Sequence, residues 1–204
     1  MTLNEYSDLA SIFGSLAVIG VFVQAILIRG QIKKDHERSR REKSVELLGQ
    51  WAKHLKQDSS LARRIVESLN EEESRNLFNQ EETKVAVKYE ESLRKILDLG
   101  DDELNKPNGE VILNAAQSSK LRWHAMSYLN MLESILVAWQ YSIVDREIIE
   151  HQFSYLFSPE QGHAALKHFR TAAGGEKAFP AIEIFANHLE ENRRLILKQK
   201  ANVA

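Results

Sequence analysis

The sequence predicts an all-α protein. A single N-terminal transmembrane helix continues into a charged stalk and then into a helical cytosolic bundle of about seven helices. Three observations carry this. Residues Leu9–Ile28 contain no charged side chain. Beyond them the apolar residues recur at spacings of three and four, and no segment alternates apolar and polar as a half-buried strand does. Capping residues and breakers sit where that spacing begins and ends.

A helix over Leu9–Ile28 is about 30 Å long, the thickness of a bilayer's hydrocarbon core. A cleaved signal peptide starts with basic residues, whereas this chain starts with Glu5 and Asp8 and offers no small-x-small cleavage site. The segment therefore reads as a signal anchor. Arg29, Lys33, Lys34, Arg38, Arg40, Arg41 and Lys43 follow it, and no Lys or Arg precedes it. The positive-inside rule puts the short N-terminus outside and the remainder in the cytoplasm. The organisation expected is an anchor over 1–29, a basic juxtamembrane helix over 30–57 and a cytosolic all-helical domain over 58–204.

The anchor is sorted by size. Leu9, Ile12, Leu16, Ile19, Val23 and Ile26 share one side, while Ala10, Gly14, Ala17, Val21 and Gln24 share another at spacings of four, three, four and three. In lipid the hydrophobic effect does not drive helices together, so close backbone approach and interhelical hydrogen bonds must. The small-residue seam with one amide predicts a homo-oligomer packed through this helix.

The helical pattern continues from Gly30 to about Gln57. Glu37 and Arg41 lie one turn apart, and Val45, Leu48, Trp51 and Leu55 restore an apolar stripe that should dock on the cytosolic domain. The basic run is a collar suited to anionic lipid heads. Residues 60–69 form a short amphipathic helix, and Asn70 with three glutamates caps the next. Val85, Tyr89, Leu93, Ile96 and Leu97 mark a helix ending near Gly100, and the stretch 100–110 is a loop with Pro107 and Asn108-Gly109 as turn residues. Leu121, Ala125, Tyr128, Leu132, Ile135 and Trp139 line one face of a long central helix. Asp145 caps a helix carrying Ile148, Ile149, Phe153, Leu156 and Phe157. Ser158-Pro159-Glu160-Gln161 opens another that runs to Gly174-Gly175, and Pro180 opens the last, with Ile182, Phe185, Leu189 and Ile196 inward.

Composition narrows the chemistry. The chain has 204 residues, 43% hydrophobic and 27% charged, which suits one domain with a core and an appendage. A net charge of −2 gives no bias toward nucleic acid, and the lack of cysteine excludes disulfides, thiolate zinc sites and cysteine nucleophiles. Phosphate-cradling glycine loops, nucleophile elbows and paired zinc histidines are missing, and Glu160 with His163 is the lone Glu-x-x-His pair. Neither a metal nor a cofactor is expected. Arg122, Trp123, His124, Glu133 and Arg146 remain as ligand-binding candidates, with a small anion as the ligand expected. Arg122-Trp123-His124 combines charge with stacking surface. Glu133 lies among Met126, Asn130 and Val137, where a buried carboxyl is held above its usual range; the alternative is an ion pair with Arg122 or Arg146.

Arg146 and His151 in "REIIEH" have the R-x4-H spacing of the helical ribonuclease domains named for higher eukaryotes and prokaryotes. The match resembles their motif, in which the arginine binds the scissile phosphate and the histidine assists catalysis. About one such match is expected by chance in a chain with 13 Arg and 7 His, and Glu147 stands where those enzymes place an uncharged residue. The stretch "RWHAMSYLNMLESILVAWQYSIVDREIIEHQFSYLF", with the overall layout, resembles bacterial domain-of-unknown-function families that pair one membrane helix with a small helical cytosolic domain. That layout is also similar to small membrane effectors of antiphage systems, including CRISPR-associated ones. The resemblance implies a bacterial inner-membrane protein with its C-terminal domain in the cytoplasm. It implies a non-enzymatic effector or sensor answering to a small ligand or a cytosolic protein partner, with a tethered ribonuclease and a passive scaffold as the alternatives.

The topology is directly testable. A C-terminal alkaline phosphatase fusion should be inactive while the matching fluorescent-protein fusion glows; an active phosphatase would reverse the orientation.

Overall fold

The computed structural model describes residues 3–55, 57–100 and 104–201, with side chains from Gln24 onward apart from those of Gln57, Asn108, Gln161, Lys200 and Ala201. Eight α-helices account for most of it. They are α1 (Leu3–His54), α2 (Gln57–Glu67), α3 (Glu71–Asn79), α4 (Glu90–Leu97), α5 (Ala115–Gln140), α6 (Arg146–Phe153), α7 (Lys167–Ala172) and α8 (Pro180–Ala201). Two short strands, β1 (Thr83–Ala86) and β2 (Glu110–Leu113), pair antiparallel in the register Thr83↔Leu113 to Ala86↔Glu110.

The central helix is the one its periodicity announces. Leu121, Ala125, Tyr128, Leu132, Ile135 and Trp139 of α5 are all buried. Its start is fixed by a capping box, since the Asn114 side chain accepts from the Gln117 amide while the Gln117 side chain accepts from the Asn114 amide. Asn70 and Glu73 make the same box at the start of α3. Asp145 caps α6 by accepting from the amides of Glu147 and Ile148.

Helix α1 is continuous from Leu3 to His54. Among its described side chains only those of the last turns meet the core: Trp51 is buried, Leu47 and Leu48, with Leu55 just past the helix, are partly buried against it, and Val45 is exposed. Ser44 is the polar part of this joint. Its hydroxyl donates to the Arg40 carbonyl and accepts from the Asp145 amide at 2.9 Å, while Arg41 Nε reaches the Asp145 carboxylate at 3.3 Å. Trp51 packs edge-on against Tyr128 and Phe153. Residues 44 and 51 of α1 thus lie level with 145 and 128, and α1 runs antiparallel to α5. Among the residues whose side chains are described, which begin at Gln24, no helix is long and apolar enough to cross a membrane. The side chains of Ala10, Gly14, Ala17 and Val21 lie outside the described residues, and Gln24 is exposed.

Five expectations need correction. Val85 belongs to β1 and Tyr89 to a single turn before α4, so the helix expected from Val85 starts only at Glu90. Strands are therefore present, against the expectation of none; each has four residues and they are separated by α4, too short and too far apart to show alternation. Ser158-Pro159 opens one 3₁₀ turn that Gly162 closes in the left-handed region (φ 73°), and α7 begins later at Lys167. Ile196 is exposed rather than inward. In the stalk, Arg38 pairs with Glu42 and Arg41 turns to Asp145, where Glu37–Arg41 was expected.

Removing the Trp51 ring should cost about 3–5 kcal/mol, because the core cannot collapse onto the space left beside a rigid helix. Ile32→Ala, on the exposed stalk, should stay within about 0.5 kcal/mol. Urea unfolding followed by near-ultraviolet circular dichroism reads both.

Candidate functional site

The docked end of α1 does not lie flush on α5. Between them, closed at one end by the start of α2, is a cleft of about 530 Å³. That is within the range of small-molecule sites. Leu47, Leu55, Met131 and Ile135 supply apolar wall, Trp123 and His124 stand edge-on to each other with centroids 5.0 Å apart, and His54 and Asp58 supply polar atoms. The periodicities explain the mixture. Tyr128 and Ile135 belong to the buried face of α5, whereas Trp123, Ser127 and Ser134 sit on its solvent side, so the cleft lies where α5 passes from core to surface. Trp123 is 64% exposed, a large ring at the mouth with one face open.

Burial sets the titration of two cleft groups. It pushes the Tyr128 phenol well above its ordinary value, and the hydroxyl is buried without a hydrogen-bond partner. Burial also holds His124 below its ordinary value, against the opposing pull of Asp58. At neutral pH His124 is an uncharged imidazole that can both donate and accept. Asp58 is the one carboxylate among the described residues that line the cleft, and neither Lys nor Arg is among them.

The five ligand-binding candidates from the sequence do not converge. Trp123 and His124 line the cleft. Arg122, next in sequence, points away and lays its guanidinium 4.8 Å from the Phe78 ring centroid. Glu133 is neither free nor paired with an arginine: its carboxylate accepts from the amides of Ala181 at 2.8 Å and Ile182 at 2.9 Å, capping the first turn of α8. Unpaired amides at a helix start favour a negative charge, which is the structural reason for an acid at this position. Arg146 stacks over Trp139 at 4.2 Å, beside Glu150, which accepts from the Trp139 indole and contacts His188. His151, five residues on, projects about 140° around α6 and is exposed. Neither Arg146 nor His151 lines the cleft. Among the described residues no three histidines or carboxylates gather as a metal site needs.

Leu47, Gln50, His54, Asp58 and Ser59 were not singled out from the sequence, and Leu55 was named only as part of the docking stripe. Their neighbours across the cleft are some 70 residues away, and no local spacing reveals such a pairing. The faint signal was the aromatic Trp123-His124 pair on the polar side of an otherwise core helix.

The lowered His124 value gives a pH prediction. The folded state resists protonation there, so its contribution to stability is full above about pH 6.5 and is lost as pH falls from there toward the folded-state value. His124→Gln should flatten the acid limb of a plot of urea midpoint against pH between about 7 and 5, leaving the midpoint above pH 7 little changed.

Comparison with protein-family models, with curated proteins and with solved structures found no match, so what the cleft does follows from its geometry alone.

Proposed function

We propose that this protein is a non-enzymatic, self-associating membrane-anchored sensor or effector, in which a ligand held between α1 and α5 changes how the stalk is seated and hence how neighbouring anchors pack. One observation carries the reading: the wall of the cleft is the stalk helix itself, through Leu47, Gln50 and His54. A ligand there touches the element that leads to the anchor, so its binding energy differs between stalk positions, which is the condition for shifting a conformational equilibrium. The charge-free run Leu9–Ile28, the cations after it and the small-residue seam support the membrane and self-association parts. The resemblance in layout to small membrane effectors of antiphage systems agrees with this. The lining favours an uncharged, ring-bearing ligand over the anion suggested by Arg122 and Arg146, since both arginines point elsewhere and Asp58 points in.

The test is crosslinking of the full-length protein in membranes. Gly14→Ile should lower the yield of crosslinked oligomer several-fold by holding anchors apart. Ser127→Trp, which fills the cleft from an exposed position, should change that yield by about twofold or more without lowering the urea midpoint. Wild-type yield in Gly14→Ile would make the anchor a passive one. Wild-type yield in Ser127→Trp would uncouple the cleft from assembly.

A further inference from the structure

Beyond Arg193, which donates to the Phe157 carbonyl, the last two turns of α8 pack against nothing in the domain among the described side chains. From Arg194 to Gln199 every residue is exposed, and Leu195, Ile196 and Leu197 stand 57%, 52% and 66% exposed in succession. Three consecutive apolar residues cover about 200° of the helix circumference, more than the apolar stripe one packed partner covers. Arg194, paired with Glu190, and Lys198 flank them. An apolar tip ringed by cations suits a surface that can close around it, and a lipid headgroup layer does this while letting the long basic side chains reach phosphate.

The direction of α8 supplies the second observation. Glu133 caps Ala181 and Ile182, and Trp139 meets Phe185 and His188 at centroid distances of 4.9 and 5.2 Å. Helix α8 therefore runs the same way as α5, and α5 runs opposite to α1. The C-terminal end of α8 and the N-terminal part of α1 leave the domain on the same side. From His188, Leu197 is about 13 Å out and Ala201 about 20 Å out; from Ser44, Arg29 is about 22 Å out along α1. Measured this way, Leu197 stops about 9 Å short of Arg29 and falls level with Lys34 in the basic collar, the part of α1 suited to anionic lipid heads.

We infer that the end of α8 around Leu195–Lys198 is a second membrane contact, seated in the anionic headgroup layer beside the anchor. The inference rests on reading Leu9–Ile28 as membrane-spanning. It gives the domain two points of attachment, one by insertion and one by charge-assisted contact. The second is the weaker and depends on lipid composition and salt.

Because the chain has no cysteine, single labels can be placed without background. The full-length protein is reconstituted in vesicles of phosphatidylcholine alone or mixed with phosphatidylglycerol, with an environment-sensitive dye on Leu197→Cys or, separately, on Val18→Cys in the anchor. The Leu197→Cys dye should be blue-shifted and about twofold or more brighter in the anionic vesicles than in the neutral ones, and the change should vanish in molar salt or with Arg194→Glu and Lys198→Glu together. The Val18→Cys dye should be buried in both vesicle types. A buried Val18 dye with a water-exposed Leu197 dye in anionic vesicles overturns the inference and leaves the anchor standing. A water-exposed Val18 dye overturns the anchor and the inference with it. A Leu197 shift that appears equally in neutral vesicles and grows with the protein-to-lipid ratio identifies a second copy as the occupant and also overturns it.

Discussion

Trp51 sits with its ring edge-on to Tyr128 at 5.3 Å and to Phe153 at 5.1 Å, and the course of everything N-terminal to it follows from that packing. Helix α1 has no other large buried side chain among those described, so the ring, with Ser44 and Arg41 at the Asp145 cap, sets where and at what angle the stalk leaves. The cleft exists because the joint is narrow. A helix held near one point by a large aromatic ring stands off its neighbour on either side of that point, and the space beside Met131 and Ile135 is the result.

The internal acids show a consistent use of charge. Glu133 caps α8, Asp145 caps α6, and Glu150 takes the Trp139 indole proton donor. Glu67 accepts from the amides of Ala164 and Leu166, where the backbone turns through two successive left-handed residues, Ala165 at φ 45° and Leu166 at φ 60°. Such turns are strained for residues with side chains and need compensation. Glu67 supplies it from one side. Arg170, buried and held below its ordinary value by that burial, supplies it from the other by donating to the Ala165 carbonyl while pairing with Glu183. Carboxylates near apolar residues invite a catalytic interpretation, but here each is occupied by backbone or by an indole.

Which parts of this were legible in the sequence depends on how local the cause is. The faces of α5 and the caps at Asn70 and Asp145 follow from interactions within a few residues, and residue spacing records those directly; the Asn114 cap is equally local but was not singled out. The strands escaped because β1 and β2 stabilise each other across 23 intervening residues, so neither has a local reason to be extended. The helix expected after Ser158 failed because Glu67 and Arg170 hold the segment 164–166 open from outside it. Glu133 was conspicuous in the sequence, but its partners lie 48 and 49 residues on, and only the fold identifies them as amides rather than a ligand. The cleft is the extreme case, since each wall taken alone is an unremarkable stretch of amphipathic helix.

The unbroken course of α1 makes it a lever with a short inner arm and a long outer one. The segment in contact with the cleft, Leu47 to Leu55, is about 12 Å long, while Trp51 lies about 35 Å from Ile28 along the axis. If the helix rocks on the Trp51 ring, a change of about 1 Å in cleft width across that inner segment is a tilt of about 5°, and Ile28 then swings by about 3 Å. The stalk thus magnifies a sub-side-chain movement roughly threefold at its far end, and the gain is set by the number of helical residues between Trp51 and Ile28. Shortening the stalk by two turns would cut that gain by about a third while leaving the cleft unchanged.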